Sequence, residues 1–508
     1  MSANTTNTKR IVKNTIVLYA RMIVIMLISL YSSRIILQAL GVDDYGLFNV
    51  VGGVVMMLGF LKSSLTSSTQ RFLSYELGNK DTNRLQHVFS ISLTTHILIS
   101  IVIVILAETI GLWFLNTHMQ IPDGRETAAN WVYHYSVVSL VLSVITVPYN
   151  ACTISHEKMT FFAWVSILDA ILKLAFAFAI MVAPYDRLSF YALLIMLTNV
   201  LNLLLYWWYC RKNFAETNYH FFWDKKLFKE IFSFSGWTIW GQLAVVGSAQ
   251  GKGILVNIFH TVAANAGMGV ANQVNTALVS LTSNFQTAFQ PQLTKSYAAK
   301  NYDYLNTLIY GTSKVSFYLL FIASLPIMLN IDWVLSVWLT EVPQYSSTFC
   351  NLYIIASILN ALATPLWITI FATGNIRNYQ LVISLAYFSE ILIIYFFFLA
   401  GFPPTTAMVI KVILNVAMVF IRLYFANRKI ESFSALNYTK KVLLPVSLSS
   451  LITISVAYIL MYYSHSLQIQ LMNTMIIIIF SIIIAYYIGL TQSERNLLKT
   501  IIIKKIKK

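Results

Sequence analysis

The stretch TIVLYARMIVIMLISLYSSRIILQ (15–38) decides the fold class, because it runs for 24 residues with only two charged side chains. A transmembrane helix needs about 20 predominantly apolar residues. The whole chain has the same character, since 57% of its 508 residues are hydrophobic and only 11% are charged. This composition excludes an ordinary soluble protein and predicts an all-α integral membrane protein.

Apolar runs between charged or turn-forming breaks predict about 14 transmembrane helices. The runs are too long for the strands of an outer-membrane barrel, which span about 10 residues each. Short loops take up the rest of the chain and leave no room for a large soluble domain. The predicted spans are 15–38, 47–70, 88–115, 129–154, 160–183, 189–210, 231–257, 267–290, 307–329, 347–371, 379–401, 405–427, 442–463 and 469–490.

Lysine and arginine are distributed asymmetrically between the two sets of loops. The loops on the N-terminal side hold 25 of the 35, and the opposite loops hold only Arg125 and Arg187. Positively charged loops stay in the cytoplasm, so both termini are predicted to be cytoplasmic. The basic residues form no patch with interleaved aromatic residues, which argues against nucleic acid as the partner of this chain of net charge +16.

An internal repeat divides the chain. At a shift of 222 residues, predicted helices 1 and 2 coincide with helices 7 and 8, and SYELGNKD (74–81) falls on SYAAKNYD (296–303). An even number of helices between the copies predicts two parallel six-helix bundles. The predicted domains are an N-terminal lobe (1–210), a cytoplasmic linker (211–230), a C-terminal lobe (231–427), two further helices (428–490) and a basic cytoplasmic tail (491–508).

Four basic residues lie in predicted helices 1, 2 and 7, which the repeat places at the facing surfaces of the two bundles: Arg21, Arg34, Lys62 and Lys252. Charges inside spans are costly and usually face a bundle interior or water. The four are therefore predicted to line a central cationic cavity suited to a phosphate or diphosphate. For Arg21, Arg34 and Lys62, reaching along the helix to the lipid headgroups is the alternative.

Three other cations in spans lie closer to helix ends and are predicted to reach the headgroups. They are Lys314, Lys411 and Arg422.

Two acidic residues in spans are predicted as possible proton- or sodium-coupling groups. Glu390 lies near the centre of its span without a neighbouring cation in sequence, so it either couples transport or pairs with a cation on another helix. Asp169 is four residues from Lys173, a spacing that also favours a structural ion pair. The three cysteines and the single histidines His96 and His134 show no metal-binding spacing, so no metal and no cofactor is predicted.

Three stretches carry a family resemblance: RIILQALGVDDYG (34–46), STQRFLSYELGNKD (68–81) and FQPQLTKSYAAKNYD (289–303). They resemble the Wzx-type polysaccharide and O-antigen flippases of the multidrug/oligosaccharidyl-lipid/polysaccharide exporter superfamily. The resemblance implies a MATE-like fold of two six-helix lobes with two additional helices. It also implies transport of an undecaprenyl-diphosphate-linked oligosaccharide across the bacterial cytoplasmic membrane. By matched position it adds Arg71 to Arg34 as a substrate-binding residue.

Three other functions compete with a flippase for surface-polysaccharide repeat units. A MATE-like ion-coupled drug or metabolite antiporter would favour acidic residues in the spans, where basic residues outnumber acidic ones. A polymerase or ligase would need a larger outer loop than 330–346, the longest here. A peptidoglycan-precursor flippase carries the same diphosphate and remains open. Beside the substrate, the expected partners are membrane lipids, H+ or Na+, and a transient contact with polysaccharide polymerase machinery.

Overall fold

The computed structural model describes residues 2–56, 59–118, 121, 124–182, 186–222, 224–339, 341–464, 466–492 and 494–496. The described residues form helices joined by short connections, and most of the predicted basic tail (491–508) lies outside them. The helices are α1 (Ser2–Met56), α2 (Gly59–Asn79), α3 (Thr82–Leu106), α4 (Leu112–His118), α5 (Glu126–Ser155), α6 (Met159–Ala179), α7 (Arg187–Asn213), α8 (Lys225–Phe259), α9 (Val262–Ala298), α10 (Tyr302–Leu329), α11 (Ile331–Trp338), α12 (Ser346–Ala372), α13 (Arg377–Leu399), α14 (Thr406–Lys429), α15 (Ala435–Tyr438), α16 (Leu444–Tyr462) and α17 (Leu467–Ile484).

Eleven helices among the described residues are long and apolar enough to cross a membrane. The fourteen predicted spans include three more, at 47–70, 231–257 and 267–290, whose described residues are helical but less apolar. Their polarity has a structural reason, because these helices line cavities. Lys62 and Thr66 of α2 face one cavity, and amide side chains of α8 and α9 face another. Helices that face a polar interior are therefore less apolar than helices that face only lipid and neighbouring apolar helices.

The chain divides into two compact units. One comprises Arg10–Gln242, and the other comprises Leu243–Lys508 together with Met1–Lys9. The division falls inside α8, whereas the sequence predicted a linker at 211–230. That segment packs within the first unit: Phe222 stacks on His87 at 3.8 Å, and Gln86 donates a hydrogen bond to the carbonyl oxygen of Asn218.

In the first unit, α5 is central and packs against α2, α3 and α7. Val132, Val144 and Ala151 of this helix are completely buried. In the second unit α12 has the same position, with α9, α10 and α14 around it. Ala363 of α12 and Ala271 of α9 are completely buried. Small residues allow helix backbones to approach closely, and the resulting van der Waals packing contributes to helix association in membranes.

The repeated turns SYELGNKD and SYAAKNYD share a backbone conformation. Lys80 and Lys300 both have left-handed backbone angles, with φ values of 61° and 54°. The next residue in each turn caps the following helix: Asp81 accepts a hydrogen bond from the Arg84 amide, and Asn301 accepts one from the Tyr304 amide. The structurally equivalent residues lie two positions earlier than the shift of 222 predicts.

Gly41 interrupts α1 in the middle of the quoted RIILQALGVDDYG stretch. Its φ of 79° and ψ of 173° are non-helical, so the chain bends there between two helical segments. Side chains with a Cβ rarely adopt this conformation. Just beyond the bend, Arg125 joins Asp44 to Asp186, with distances of 2.9 Å from Nε to Asp44 Oδ1 and 2.7 Å from Nη1 to Asp186 Oδ1.

The prediction that Lys314 and Arg422 reach the lipid headgroups is wrong. Lys314 is completely buried, and its Nζ lies 2.5 Å from Oε2 of Glu494. Arg422 is buried and donates a hydrogen bond from Nη1 to Oδ1 of Asn360 at 2.8 Å. Both cations have partners far away in the sequence, which hydropathy and helix depth do not reveal.

Candidate functional site

The first unit contains a cavity of about 750 Å³ among α1, α2, α5, α6 and α7. Its volume lies in the range typical of ligand-binding sites. Four charged residues line it: Arg21 of α1, Lys62 of α2, and Asp169 and Lys173 of α6. Two of the four predicted cavity cations, Arg21 and Lys62, are therefore brought together here.

The carboxylate of Asp169 has two partners. Its Oδ2 lies 2.8 Å from Nζ of Lys173, one helical turn away, which confirms the ion pair predicted from their spacing. Its Oδ1 accepts a hydrogen bond from Nδ2 of Asn202 on α7 at 2.9 Å. Both oxygens of the only acidic side chain among the described lining residues are thus engaged.

The other two cations have different surroundings. The guanidinium of Arg21 lies 4.5 Å from the ring centroid of Phe162, and its Nε has no hydrogen-bond partner among the described residues. Lys62 is exposed to the cavity, close enough to Asp169 and Lys173 to interact electrostatically with both. Neither Arg21 nor Lys62 forms a salt bridge within the described part of the chain.

The described lining residues consequently carry a formal charge of +2, from three cations and one carboxylate. A surplus of positive charge in a partly enclosed site attracts anions and repels cations, since field lines concentrate in such clefts. Arginine adds a planar set of donors that matches the oxygens of a phosphate. The cavity is therefore suited chemically to an anionic group.

Neutral polar residues on α5 and α7 complete the lining, and the sequence analysis missed them. Asn199, Asn202 and Tyr206 face the cavity from α7. Tyr206 also accepts a hydrogen bond from Nδ2 of Asn150 on α5 at 3.0 Å. A signal for these residues exists in the sequence: positions 199, 202 and 206 follow helical spacing and form one polar stripe on an otherwise apolar span.

Lys252 has a different environment from the one that the sequence predicts. It is buried in the second unit, where its Nζ lies 2.8 Å from Glu390 Oε1 and 2.8 Å from Ser248 Oγ. The Ser248 hydroxyl donates in turn to Glu390 Oε2 at 2.5 Å. Glu390 is buried as well. Of its two predicted roles, ion coupling and pairing with a cation on another helix, the structure shows the pairing.

Lys411 lies beside this buried pair. It interacts electrostatically with both Lys252 and Glu390, and its Nζ is 4.1 Å from the ring centroid of Tyr353. The prediction that Lys411 reaches the headgroups is therefore wrong. Tyr353 also lines a second cavity of about 560 Å³, where Asn257, Asn265 and Asn272 supply amides. No charged side chain is among the described residues that line this second cavity.

Arg34 and Arg71, the two residues matched by family resemblance, are absent from the described linings of both cavities. Arg34 is exposed. Arg71 is buried, with its guanidinium 4.5 Å from the ring centroid of Phe72, 4.7 Å from that of Tyr75 and 5.5 Å from that of Phe234. Its contacts are those of a cation held by aromatic rings.

Electrostatics also holds together the predicted outer ends of the helices in the first unit. Partial burial acts to lower the pKa of Arg125, but the carboxylates of Asp186 and Asp44 outweigh this effect and raise it. Partial burial acts to raise the pKa of Asp186, but hydrogen bonds from Ser189 and Arg125 outweigh it and hold the pKa below its ordinary value of 3.8. The three side chains form a stable ion cluster at neutral pH.

Comparisons with solved structures identify the fold. A multidrug resistance MATE family transporter of the MOP superfamily, in an outward-facing conformation, superposes with a TM-score of 0.72 at 15% identity, covering 83% of this chain and 95% of that chain. A MOP superfamily transporter from Pyrococcus furiosus, described as having a binding pocket of reverse polarity that suggests a different function, gives 0.70 at 15% identity, with 85% and 97% covered.

A mutant of a Vibrio cholerae MATE transporter gives a TM-score of 0.67 at 13% identity, with 86% of this chain and 99% of that chain covered. The comparison with curated protein sequences gives no match. A family model described as polysaccharide biosynthesis protein matches residues 11–297, more than half of the chain. The protein is thus a multi-pass membrane protein with the MATE-like fold, and it belongs to the polysaccharide biosynthesis protein family.

Proposed function

We propose that this protein is a flippase for an undecaprenyl-diphosphate-linked oligosaccharide, a repeat unit of O-antigen, capsule or exopolysaccharide. It moves the substrate from the cytoplasmic to the outer leaflet of the bacterial cytoplasmic membrane by alternating access. The observation that carries this proposal is the surplus of positive charge in the cavity, where Arg21 and Lys62 lack salt-bridge partners among the described residues.

The diphosphate is the part of the substrate that this charge recognises. Arg21 supplies paired donors to phosphate oxygens, and Lys62 supplies a mobile ammonium group. Asp169 keeps Lys173 at 2.8 Å, so Lys173 contributes less to binding than the two unpaired cations. The asparagines and Tyr206 offer neutral hydrogen bonds, which suit the hydroxyl groups of a sugar.

The family and the fold also support the proposal of a flippase. Membership of the polysaccharide biosynthesis family connects the chain to glycan production, and the fold is one that solved transporters share. A MATE-like exporter of cationic drugs would require negative charge in its cavity, the opposite of the net charge here. The structurally similar protein from Pyrococcus furiosus is described as a MOP superfamily transporter in which reverse polarity of the binding pocket suggests a different function.

Four other predicted site residues, Arg34, Arg71, Asp169 and Glu390, act outside direct binding in the cavity. Arg34, which is exposed, meets the substrate diphosphate on its way to the cavity. Arg71 supports the helix that carries Lys62, because its aromatic contacts are in the same helix and in α8. Asp169 and Glu390 each hold a lysine, so coupling to H+ or Na+ through either one requires its ion pair to open.

Translocation in proteoliposomes tests the proposal. The intact protein is reconstituted with a fluorescent undecaprenyl-diphosphate-linked oligosaccharide, and access of an impermeant sugar-oxidising or sugar-binding reagent reports the leaflet. We expect flipping by the intact protein and loss of most of it in the double variant Arg21→Gln, Lys62→Gln. Glutamine keeps a polar, though shorter, side chain while it removes the two charges.

The matched control removes two exposed positive charges of α8, in Lys225→Gln, Lys229→Gln, and should flip normally. An uncharged prenyl-linked sugar should be a poor substrate, because it lacks the diphosphate. Normal flipping by the double cavity variant would refute the cationic-cavity mechanism. Export of a cationic dye without flipping of any diphosphate-linked glycan would support the drug-antiporter alternative. Selective flipping of a peptidoglycan precursor would assign the protein to that pathway.

A further inference from the structure

A cluster of three potential metal ligands lies at the C-terminal end of α5, outside both cavities. It consists of Cys152, His156 and Glu216. Cys152 and His156 are one helical turn apart, and Glu216 belongs to a short 3-10 helix, Ala215–Thr217, in the segment that follows α7. One sulfur, one nitrogen and one oxygen atom of the three side chains all lie within 4.8 Å of one another.

We propose that Cys152, His156 and Glu216 bind a zinc ion. This inference does not depend on the proposed transport function, since none of the three residues lines the described cavities.

The distances from the Glu216 carboxylate to the other two ligand atoms can be compared with those of a tetrahedral zinc site. The Sγ of Cys152 is 3.7 Å from Oε1 of Glu216, and Nε2 of His156 is 2.5 Å from the same oxygen. Zinc bonds of about 2.0–2.3 Å at tetrahedral angles would separate such ligand atoms by about 3.3–3.5 Å. The Cys152 to Glu216 distance already fits, and the imidazole and carboxylate must move apart by less than about 1 Å.

The side chains are also held in position for binding. The imidazole of His156 stacks on Phe214 with ring centroids 4.1 Å apart and an angle of 14° between planes, which orients Nε2 toward Glu216. Cys152 is buried, and the side chains of His156 and Glu216 are 23% and 10% exposed. A metal ion can therefore enter from the surface on which His156 opens, and the thiol is shielded from bulk solvent.

The mixture of donor types points to zinc rather than to magnesium or calcium. Magnesium and calcium prefer sites made of oxygen ligands, and one thiolate with one imidazole does not suit them. Zinc accepts sulfur, nitrogen and oxygen ligands in the same site. Three protein ligands leave the fourth position of the ion to a water molecule.

The bound ion would connect the end of α5 to the segment after α7. This segment also contacts α3: Oγ1 of Thr94 lies 3.1 Å from the hydroxyl of Tyr219, and Gln86 donates a hydrogen bond to the carbonyl oxygen of Asn218. Zinc would thereby stabilise the packing of α3, α5 and α7 at one end of the first unit. We expect zinc to raise the midpoint of thermal unfolding of the intact protein.

Metal analysis of the full-length protein in detergent tests the proposal directly. The protein is treated with zinc under reducing conditions, freed of excess metal by gel filtration and analysed by mass spectrometry of the elements. We expect about one zinc ion per chain in the intact protein. Cys152→Ser and Glu216→Gln should each weaken zinc binding by at least about tenfold in competition with a chromophoric chelator.

Cys350→Ser is the matched control, because Cys350 is equally buried but belongs to the second unit. It should retain the metal. Cobalt provides a second readout: a thiolate-to-cobalt charge-transfer band should form with the intact protein and Cys350→Ser, and should be missing in Cys152→Ser. If Cys152→Ser does not fold, the near-isosteric Glu216→Gln variant decides. The proposal is overturned if the intact protein retains no zinc, or if a folded variant binds it as tightly as the intact protein.

Discussion

The buried ion pair of Lys252 and Glu390 leads us to expect that variants lacking one or the other residue differ in stability. At 2.8 Å and an effective dielectric constant of about 20, two unit charges attract by about 6 kcal/mol, most of which offsets the cost of burying them. Removing one partner of such a pair generally costs about 3–5 kcal/mol, because the other charge remains buried without compensation.

Lys411 makes the two single replacements unequal. In Glu390→Gln, the cations Lys252 and Lys411 are left beside one another without a carboxylate. In Lys252→Met, by contrast, Glu390 retains Lys411 as a nearby partner. We therefore expect Glu390→Gln to lower the free energy of unfolding by about 3–5 kcal/mol. Lys252→Met should be milder by at least about 1.5 kcal/mol, the scale of one hydrogen bond to a charged group.

Unfolding of the purified full-length protein by detergent titration, followed by circular dichroism, measures these differences. Glu431→Gln removes an exposed carboxylate from the same unit and should leave stability unchanged. Combining Lys252→Met with Glu390→Gln should recover part of the stability lost in Glu390→Gln alone. The reasoning is refuted if Glu390→Gln is as stable as the intact protein or less destabilised than Lys252→Met.

Two further predictions concern the predicted outer ends of the helices. Because the folded-state pKa of Asp186 is below 3.8, its stabilising effect is complete above that pH and disappears as the pH falls through the lowered pKa. Asp186→Asn should therefore be less stable near neutral pH and lose less stability below about pH 4, as measured by thermal unfolding across a pH series; equal pH dependence would contradict this. Gly41→Ala should lower the free energy of unfolding by about 1–2 kcal/mol, because φ of Gly41 is 79°. Gly46→Ala is the control: the backbone is helical there and the space around an added Cβ is open, so this variant should be neutral or stabilising in the same measurement. Equal effects of the two substitutions would show that the positive φ of Gly41 is not the cause.

The sequence predicts those features of the site that depend on residues within a single helix. Hydropathy located the spans, helix depth singled out Arg21 and Lys62, and the spacing of four residues predicted the ion pair of Asp169 with Lys173. Each of these inferences uses residues on one helix. They succeed because the geometry of an α-helix determines which neighbours share a face.

Sequence could not assign partners on different helices. Lys252 and Glu390 are separated by 138 residues, and Lys314 and Glu494 by 180, yet both pairs are in contact. Which helices adjoin, and how they are rotated, depends on the packing of small residues along their whole length. The same is true of His156 and Glu216, which come together only because the segment after α7 packs against the end of α5.

The sequence by itself determined that this protein crosses the membrane many times, that its halves are related, and that its spans contain an excess of basic residues, because composition and periodicity are properties of the chain. Only the tertiary structure decided which of those charges remain available. It buried Lys252 against Glu390, enclosed Arg71 in aromatic rings, and left Arg21 and Lys62 in a cavity without salt-bridge partners in the described region. The physical reason is that a buried charge is stabilised by groups from neighbouring helices, and these neighbours exist only after the helices have packed.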